Sequence, residues 1–583
     1  LLLVPGTPFG EEPGRQWMQF EEPEQSIIAW ELDEVLDALA RVEAAAATGK
    51  WVVGLVSYDA APAFDRALAA QRNPNVPLVA FGVFSHGTPS PGPTGGRFET
   101  TPWIAEREQA DYEADIRSIR DRIAAGDTYQ VNHTMRLRAR FEGDPLGLFE
   151  ALCRAQQGDH VCFLDLGDAA ICSASPELFF TRSGTTLTTR PMKGTRPRHP
   201  DPIEDQALID GLRASDKDRA ENTMIVDMTR NDLGRIATVG SLAVPTLHAI
   251  ETYPTVHQMT STVTAESEAS LTEIFGALFP GASITGAPKV STSRIVTAIE
   301  GSPRGVYTGS LGIVGPNGFA EFNIAIRTVW IDHNSGDAEY GTGGGIVWDS
   351  DPTDEWHEAH HKARVLDRAC ASMRLLETIK YEPKHGLVLL DRHVDRVTAA
   401  AEHFRYDLDT IELRRVLDAV QLEGAARIRL LVDSNGGVDL DITPEPESAA
   451  STWHLPIDTE PVDTADEWLY FKTTERARYD EARARFPHAP DVILWNERGE
   501  VTETTIGNLV IELDGAWYTP HASSGLLPGT FRAELLDQGV VTERVITLGE
   551  LAGARRVWMI NSVRGWVPAA VESAELLAAS INR

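Results

Sequence analysis

At Arg374 the hydrophobic period of the sequence changes. A helical run from Lys362 to Met373 passes directly into LLETIKYEPKHGLVLLDRH, which alternates and turns as a hairpin does. Periods of 3.6 and 2 cannot share one element, so a module boundary is expected near Arg374, with modules at 1–373 and 374–583. No Gly/Ser linker lies at the junction, which predicts two closely joined halves. The chain has 583 residues. That length predicts roughly three or four structural domains, because one core cannot serve it.

Within the first module the pattern is mixed α+β. LDEVLDALARVEAAAA reads as a helix and WVVGLVSY as a strand; SHGTPSPGPTGG reads as a surface loop. A long amphipathic helix from Tyr112 leads to a turn at Gly126 and Asp127, and VCFLDL and ELFFTR read as strands. In the second module TPEPESAAS, at 443–451, is expected to divide or decorate the fold. No internal repeat of solenoid period occurs.

Composition narrows the function classes. Asp and Glu outnumber Lys and Arg by 86 to 53, and a formal charge of -33 repels a phosphate backbone, so nucleic-acid binding is not expected. The cysteines Cys153, Cys162, Cys172 and Cys370 form no CxxC pair or metal spacing and read as core thiols. No apolar stretch approaches the roughly 20 residues of a membrane span, and LLLVPGTPFG is short for a secretory signal. A cytoplasmic enzyme without membrane contact is the expectation.

Several polar residues sit where burial would cost free energy. In DRAENTMIVDMTRNDLGR, helical spacing puts Glu221 on the face of Met224, Ile225 and Met228, where an ionised group needs a cationic partner or a metal. In DSDPTDEWHEAHHKARVL, Asp351 suits an N-cap and Pro352 the first helical turn; Glu355, Glu358 and Lys362 then share one face. Taken alone, a salt bridge and a solvated face explain these two clusters. GTGGGIV reads as a Gly-rich loop able to approach an anion, and Arg327 follows an apolar strand, fit for clamping a carboxylate or for a structural ion pair.

Read in order, GDTYQVN, SPELFF, PMKGTRPR, DRAEN, GASITGAPK, NIAIRT and GGGIVWDSDPTDEWHE resemble the chorismate-utilising enzymes over about residues 10 to 370. The resemblance implies a two-sheet α/β sandwich. It also implies Mg2+ held by Glu221 and Glu358, directly or through water, with Glu355 close by; oxygen donors suit that ion. Arg327, Lys362, Thr285, Gly286 and the backbone of Gly344 and Gly345 would surround the carboxylates of chorismate. Lys193 is the informative position, because anthranilate and isochorismate synthases carry alanine there, whereas PMKGT is similar to the aminodeoxychorismate synthases. The resemblance then makes Lys193 a nucleophile that attacks chorismate C2, with Glu177 as the acid/base group. In TVHQMTS, Gln258 stands where many relatives have histidine, consistent with amination without pyruvate elimination.

In the second module WLYFK reads as a strand that leaves Lys472 at its end. Glu503 precedes Asn508 and another strand, while LLPGTFR and NSVRGW read as loops fit for phosphate. Singly, each is as readily structural. Together they resemble the class IV pyridoxal-phosphate fold over about residues 374 to 575, a fold of two α/β subdomains. The resemblance implies Lys472 as the cofactor lysine, Glu503 as partner of the pyridine nitrogen, and Arg396 on the phosphate. Gly529, Thr530, Ser562 and Val563 would complete the phosphate cradle. Thr378 would assist departure of pyruvate.

The two resemblances together imply synthesis of p-aminobenzoate: amination of chorismate at C4, then elimination of pyruvate. No glutaminase nucleophile segment occurs in the sequence, so ammonia is expected from a separate glutamine amidotransferase subunit. A homodimer through the second module is expected by analogy. The competing readings are an anthranilate or isochorismate synthase fused to a class IV aminotransferase, and a non-catalytic subunit that holds a glutaminase.

Overall fold

The structure is a computed structural model that describes residues 2–5, 17–156, 158–198, 202–253, 256–370, 373–404, 406–445, 451–464 and 466–572. Its chain divides into two compact units, Leu1–Arg196 with Ile209–Cys370, and Pro197–Leu208 with Ala371–Arg583.

Two large antiparallel sheets form the first unit. The first is built on the long strand Gln130–Gly143, flanked by Gly286–Ala287 on one side and Asp337–Ile346 on the other; it continues through Thr328–Asp332, Ala169–Ser173 and Cys162–Asp165. The second runs from Met192–Pro197 through Val256–Glu266, Thr186–Arg190, Leu178–Ser183, Ala320–Asn323 and Ser310–Val314 to Trp51–Val56, Val79–Phe84 and Gln25–Ala29.

Strand alternation assigns each face. In Cys162–Asp165, Cys162 and Leu164 join Leu55, Phe84 and Leu311 in a core between the sheets, while Phe163 turns to the opposite face and packs with Phe149, Leu152 and Leu366. Those last three come from helices Pro145–Gln156 and Pro352–Cys370. Helices Val35–Ala47 and Leu271–Leu278 bury Leu39, Val42, Ile274 and Phe275 against the second sheet. The layers are therefore helix, sheet, sheet, helix, the expected α/β sandwich.

In the second unit, Leu375–Glu382 turns back into Gly386–Leu387, with Tyr381 opposite Leu387, so the predicted hairpin is present. With Ala426–Val432 and Val438–Pro444 it makes a four-stranded sheet covered by helices Leu390–Phe404 and Thr410–Asp418. A six-stranded sheet centred on Asn508–Leu513 and Arg556–Asn561 forms the other subdomain.

Local expectations differ from the structure in several places. SHGTPSPGPTGG contains a short strand, Thr88–Ser90, paired with Trp17–Phe20. WLYFK is not a strand: Glu467–Leu469 is a turn of 3-10 helix whose N-cap, Asp466, accepts from Trp468 N. Of the 443–451 segment, residues 446–450 lie outside the described residues. Cys162 and Cys172 are buried free thiols, as expected. No helix among the described residues is long and apolar enough to cross a membrane.

Candidate active sites

The first site lies on a floor of backbone. GTGGGIV is part of strand Asp337–Ile346 and not a loop: Gly343, Gly344 and Gly345 pair with Thr134, His133 and Asn132. The glycines are needed for what lies over them. A methyl group on Gly344 would sit 2.9 Å from Glu355 Oε2, 3.8 Å from Lys362 Nζ and 3.9 Å from Glu358 Oε1, and one on Gly345 would collide with Lys193 Nζ and Gln130 Nε2. Neighbouring strand positions face opposite sides, so Glu355, Glu358 and Lys362 lie over Gly344 and Lys193 over Gly345, close enough for the lysine charge to act on both carboxylates.

Helix Pro352–Cys370 supplies one wall. Asp351 caps it by accepting from Thr353 N at 2.9 Å and Asp354 N at 3.2 Å, which fixes the start and hence the face shown by Glu355, Glu358 and Lys362. Lys362 Nζ is 2.6 Å from Glu358 Oε1 and donates to Gly343 O at 3.0 Å. The Lys362 ammonium holds the Glu358 carboxyl down to about 2, whereas burial and the Glu358 charge push Glu355 up. Ser350 Oγ donates to Glu355 at 2.6 Å. Helix Asp216–Gly234, capped by Ser215, carries Glu221; burial pushes its carboxyl up, Lys193 opposes that shift, and the Glu358 charge adds to it.

Lys193 is carried by the edge strand Met192–Pro197, and its backbone is clamped. Asn222 Nδ2 donates to Lys193 O at 3.3 Å, Gln258 Nε2 to Gly194 O at 2.8 Å, and Thr195 Oγ1 to Gln258 Oε1 at 2.9 Å. Alternation in Val256–Glu266 turns Gln258 to this segment, while buried His257 meets Thr252 Oγ1 at 3.0 Å. Glu177, 4% exposed, accepts from Ser283 Oγ at 2.8 Å; burial pushes it up to about 7, against the pull of Lys193.

The remaining expected residues lie around this group. Arg327 adopts φ +53° and its guanidinium donates to Lys362 O. Thr285 is buried and donates to Gly281 O at 3.0 Å; Gly286, at φ +122°, pairs with Val131 and leaves no space for a side chain against Gln130 O. Sequence reasoning missed Gln130, which is fully buried with neither amide atom hydrogen-bonded. An orphaned amide beside Lys193 marks a place for a polar ligand. Among the described residues, no three His, Cys, Asp or Glu are grouped closely enough to hold an ion.

The second site is a cavity of about 470 Å³ whose lining includes Thr378, Arg396, Lys472, Glu503, Gly529, Thr530, Ser562 and Val563. All eight expected residues of this module meet there. Lys472 follows the 3-10 turn, not a strand, and is held because its carbonyl accepts from Leu376 N at 2.9 Å. Burial, reinforced by the charge of Arg396, brings its amine down to about 8. Glu503, 3% exposed, accepts from Tyr479 OH at 2.8 Å and Leu527 N at 3.2 Å; burial pushes it up to about 8.

Arg396 is set by a buried carboxylate. Its Nε and Nη2 each donate to Glu377 at 2.7 Å, and its Nη1 to Pro528 O at 3.0 Å. His393 Nδ1 lies 2.7 Å from the same carboxylate. Although Glu377 is buried, Arg396 and His393 hold it well below the usual carboxylate range. Thr530 opens helix Thr530–Asp537 behind Gly529 at the N-cap, and a side chain on Gly529 would collide with Asn508 Oδ1. The Val563 amide is turned onto Asn561 Oδ1 at 3.1 Å, so it faces its own turn instead of standing free for a phosphate. Arg427, Arg429, Arg476 and Arg564 also line the cavity and were not anticipated.

Two families of known proteins match this chain. Residues 9–368 match the chorismate binding enzyme family, and residues 374–571 match amino-transferase class IV. The chain is 42% identical over 294 residues to an aminodeoxychorismate synthase from Streptomyces griseus, covering 50% of this chain and 39% of that one. It is 40% identical over 321 residues to aminodeoxychorismate synthase component 1 from Salmonella typhimurium, covering 54% and 66%. It thus spans less than two thirds of either relative. Anthranilate synthase component I from Streptococcus pneumoniae shares the fold, with a TM-score of 0.53 at 23% identity, covering 62% of this chain and 94% of that one. The chain belongs to the chorismate binding enzyme family, with a C-terminal part that matches amino-transferase class IV.

Proposed function

We propose that the chain makes p-aminobenzoate from chorismate in two steps, one in each unit. The observation that carries the reading is Lys193 Nζ lying over Gly345 in the field of Glu177, Glu221, Glu355 and Glu358.

The donor set fits Mg2+. Glu355 and Glu358 converge on Gly344, and Glu221 and Glu358 repel one another, so a divalent cation would relieve repulsion already present. Mg2+ commonly retains several waters, so few direct ligands suffice. Glu221 and Glu358, with Glu355 near, would hold it, and it would supply positive charge against the ring carboxylate of chorismate. Arg327, Lys362, Thr285, Gly286 and the Gly344 and Gly345 backbone complete the pocket in this reading.

In the first step Lys193 Nζ bonds to C2 as both ring double bonds shift towards C4 and the C4 hydroxyl leaves as water with a proton from Glu177. Ammonia then bonds to C4, the shift reverses, and the C2–N bond breaks with its electrons returning to Lys193. The excess proton on the new amine passes to the Glu177 carboxylate. Lysine and acid are thereby restored. Gln258 and Asn222 hold Lys193 in place for both attacks.

The second cavity fits pyridoxal phosphate. A buried acid, Glu503, sits across it from Lys472, and the N-terminus of helix Thr530–Asp537 opens onto it. Lys472 would carry the cofactor, Glu503 would pair with its ring nitrogen, and Arg396, Gly529, Thr530 and Ser562 would hold the phosphate, with Val563 close beside. Bound there, the cofactor supplies an electron sink. Lys472, whose amine is partly neutral near pH 8, takes the C4 proton of aminodeoxychorismate, and Thr378 lies where departing pyruvate would be guided. Arg427, Arg429 and Arg564 favour a substrate with two carboxylates over an apolar amino acid, which supports the lyase over the aminotransferase reading.

Ammonia comes in this reading from a separate glutamine amidotransferase, and the class IV parts pair as a homodimer in the cytoplasm. The test is product analysis after incubating the protein with chorismate, Mg2+, pyridoxal phosphate and ammonium. p-Aminobenzoate with pyruvate is expected. Accumulated aminodeoxychorismate would reject the lyase step, and anthranilate would reject the role of Lys193.

A further inference from the structure

Glu177 also lines another cavity of the first unit, of about 30 Å³. Its polar lining comprises Glu177, Thr189, Thr229, Asp232 and Ser283, with Leu278 among the apolar residues. This volume admits one or two molecules the size of water and excludes any organic substrate.

The lining is rich in acceptors. Among the described residues that line it there is no Lys, Arg or His. Thr229 Oγ1 donates to Ile225 O at 2.9 Å and Ser283 Oγ to Glu177 Oε1 at 2.8 Å, so both hydroxyls have spent their proton and keep lone pairs. Asp232 adds a carboxylate, paired through Oδ2 with Lys289 Nζ at 2.6 Å. Thr189 is 4% exposed and its Oγ1 has no partner. A buried hydroxyl left unpaired is costly unless a small molecule meets it.

We propose that this cavity is the binding site of the nitrogen nucleophile, taken as ammonium or ammonia, and that it presents the nitrogen to Glu177. The proposal rests on the reading that this unit aminates chorismate. An ammonium ion offers four N–H donors and ammonia three, against two for water, so a compact set of oxygen acceptors selects nitrogen over water. Asp232 is already paired with Lys289, so the acceptor oxygens of Glu177, Thr189, Thr229 and Ser283 carry the selection. An ammonium ion bound here becomes the nucleophile by giving one proton to the Glu177 carboxylate left when the C4 hydroxyl departs, in place of the proton the new amine would otherwise return.

The test is a titration of ammonium chloride at fixed pH and saturating chorismate, with aminodeoxychorismate as the readout. Thr189→Val keeps the shape of the side chain and deletes its hydroxyl. Loss of a hydrogen bond to a charged group should raise KM for ammonium about tenfold while KM for chorismate stays within twofold. Thr229→Ala enlarges the cavity and should make methylammonium a substrate at a rate well above that of the unaltered protein. Amination by the unaltered protein, with KM for ammonium unchanged in Thr189→Val and no gain with methylammonium in Thr229→Ala, would show that the cavity holds only water and would overturn the site alone. No amination by the unaltered protein would reject the amination reading and the site with it.

Discussion

Gly345 and Lys193 occupy opposite sides of one gap: the lysine amine lies where the glycine would carry its side chain. Gly345→Ala must therefore displace Lys193 or Gln130, because the strand that bears residue 345 is locked by pairing to Asn132. Displacing a nucleophile by about 1 Å costs on the order of 100-fold in rate. The variant should lose amination to that extent and still cleave added aminodeoxychorismate, with the two steps assayed separately.

The halves should also separate by substitution of their lysines. Lys193→Ala is expected to abolish amination and leave the cleavage of added aminodeoxychorismate intact. Lys472→Ala should do the reverse, accumulating aminodeoxychorismate from chorismate and ammonium. Mass analysis of the products checks both, and retained amination by Lys193→Ala would reject a covalent role for that amine.

Amination should carry a pH limb near neutrality. Burial raises Glu177 to about 7, so its acid form dominates below that pH and is lost as pH rises through it. A group that donates a proton to the departing hydroxyl then gives a rate that is full below about 7 and falls above. Rates measured at constant free ammonia should show the fall, and Glu177→Gln should abolish the limb and slow the reaction about 100-fold or more.

A buried ion pair supports the second unit. Glu377 is 1% exposed and takes two hydrogen bonds from Arg396, so Arg396→Met removes the guanidinium and leaves His393 beside the carboxylate. Breaking such a pair typically costs about 3–5 kcal/mol. Urea unfolding followed by fluorescence should reveal a loss of that size. Because the folded-state value of Glu377 is depressed, its contribution is full above the ordinary value of 4.5 and is lost as pH falls below it. The unaltered unit should thus lose stability in acid, and Arg396→Met should flatten that dependence.

Much of this was readable from the sequence because it rested on local rules. Asp351 and Pro352 set the phase of a helix, and phase alone put Glu355, Glu358 and Lys362 on one face. The change of period at Arg374 likewise announced a hairpin that is present. What escaped depends on long-range pairing. GTGGGIV reads as a loop by composition, since nothing local reveals that Gln130–Gly143 pairs with it and makes it a strand. Lys472 was expected on a strand because WLYFK is apolar and aromatic, yet Asp466 caps a turn there. Gln130 is inconspicuous within GDTYQVN, because an amide stands out only when burial leaves it without partners. Arg427 and Arg429 alternate on a strand as solvent-facing residues do, and only the cavity on that side gives them a role.

The glycine strand beneath the first site has a consequence for how such a catalyst can change. Its surface consists of peptide groups, which are the same whatever the codon, and any side chain added there obstructs the groups above it. That half of the site is closed to mutational adjustment. New reactivity on this scaffold must be introduced from the facing side, at Glu177, Lys193 or Gln258, and redesign efforts should concentrate their libraries there while leaving Gly344 and Gly345 fixed.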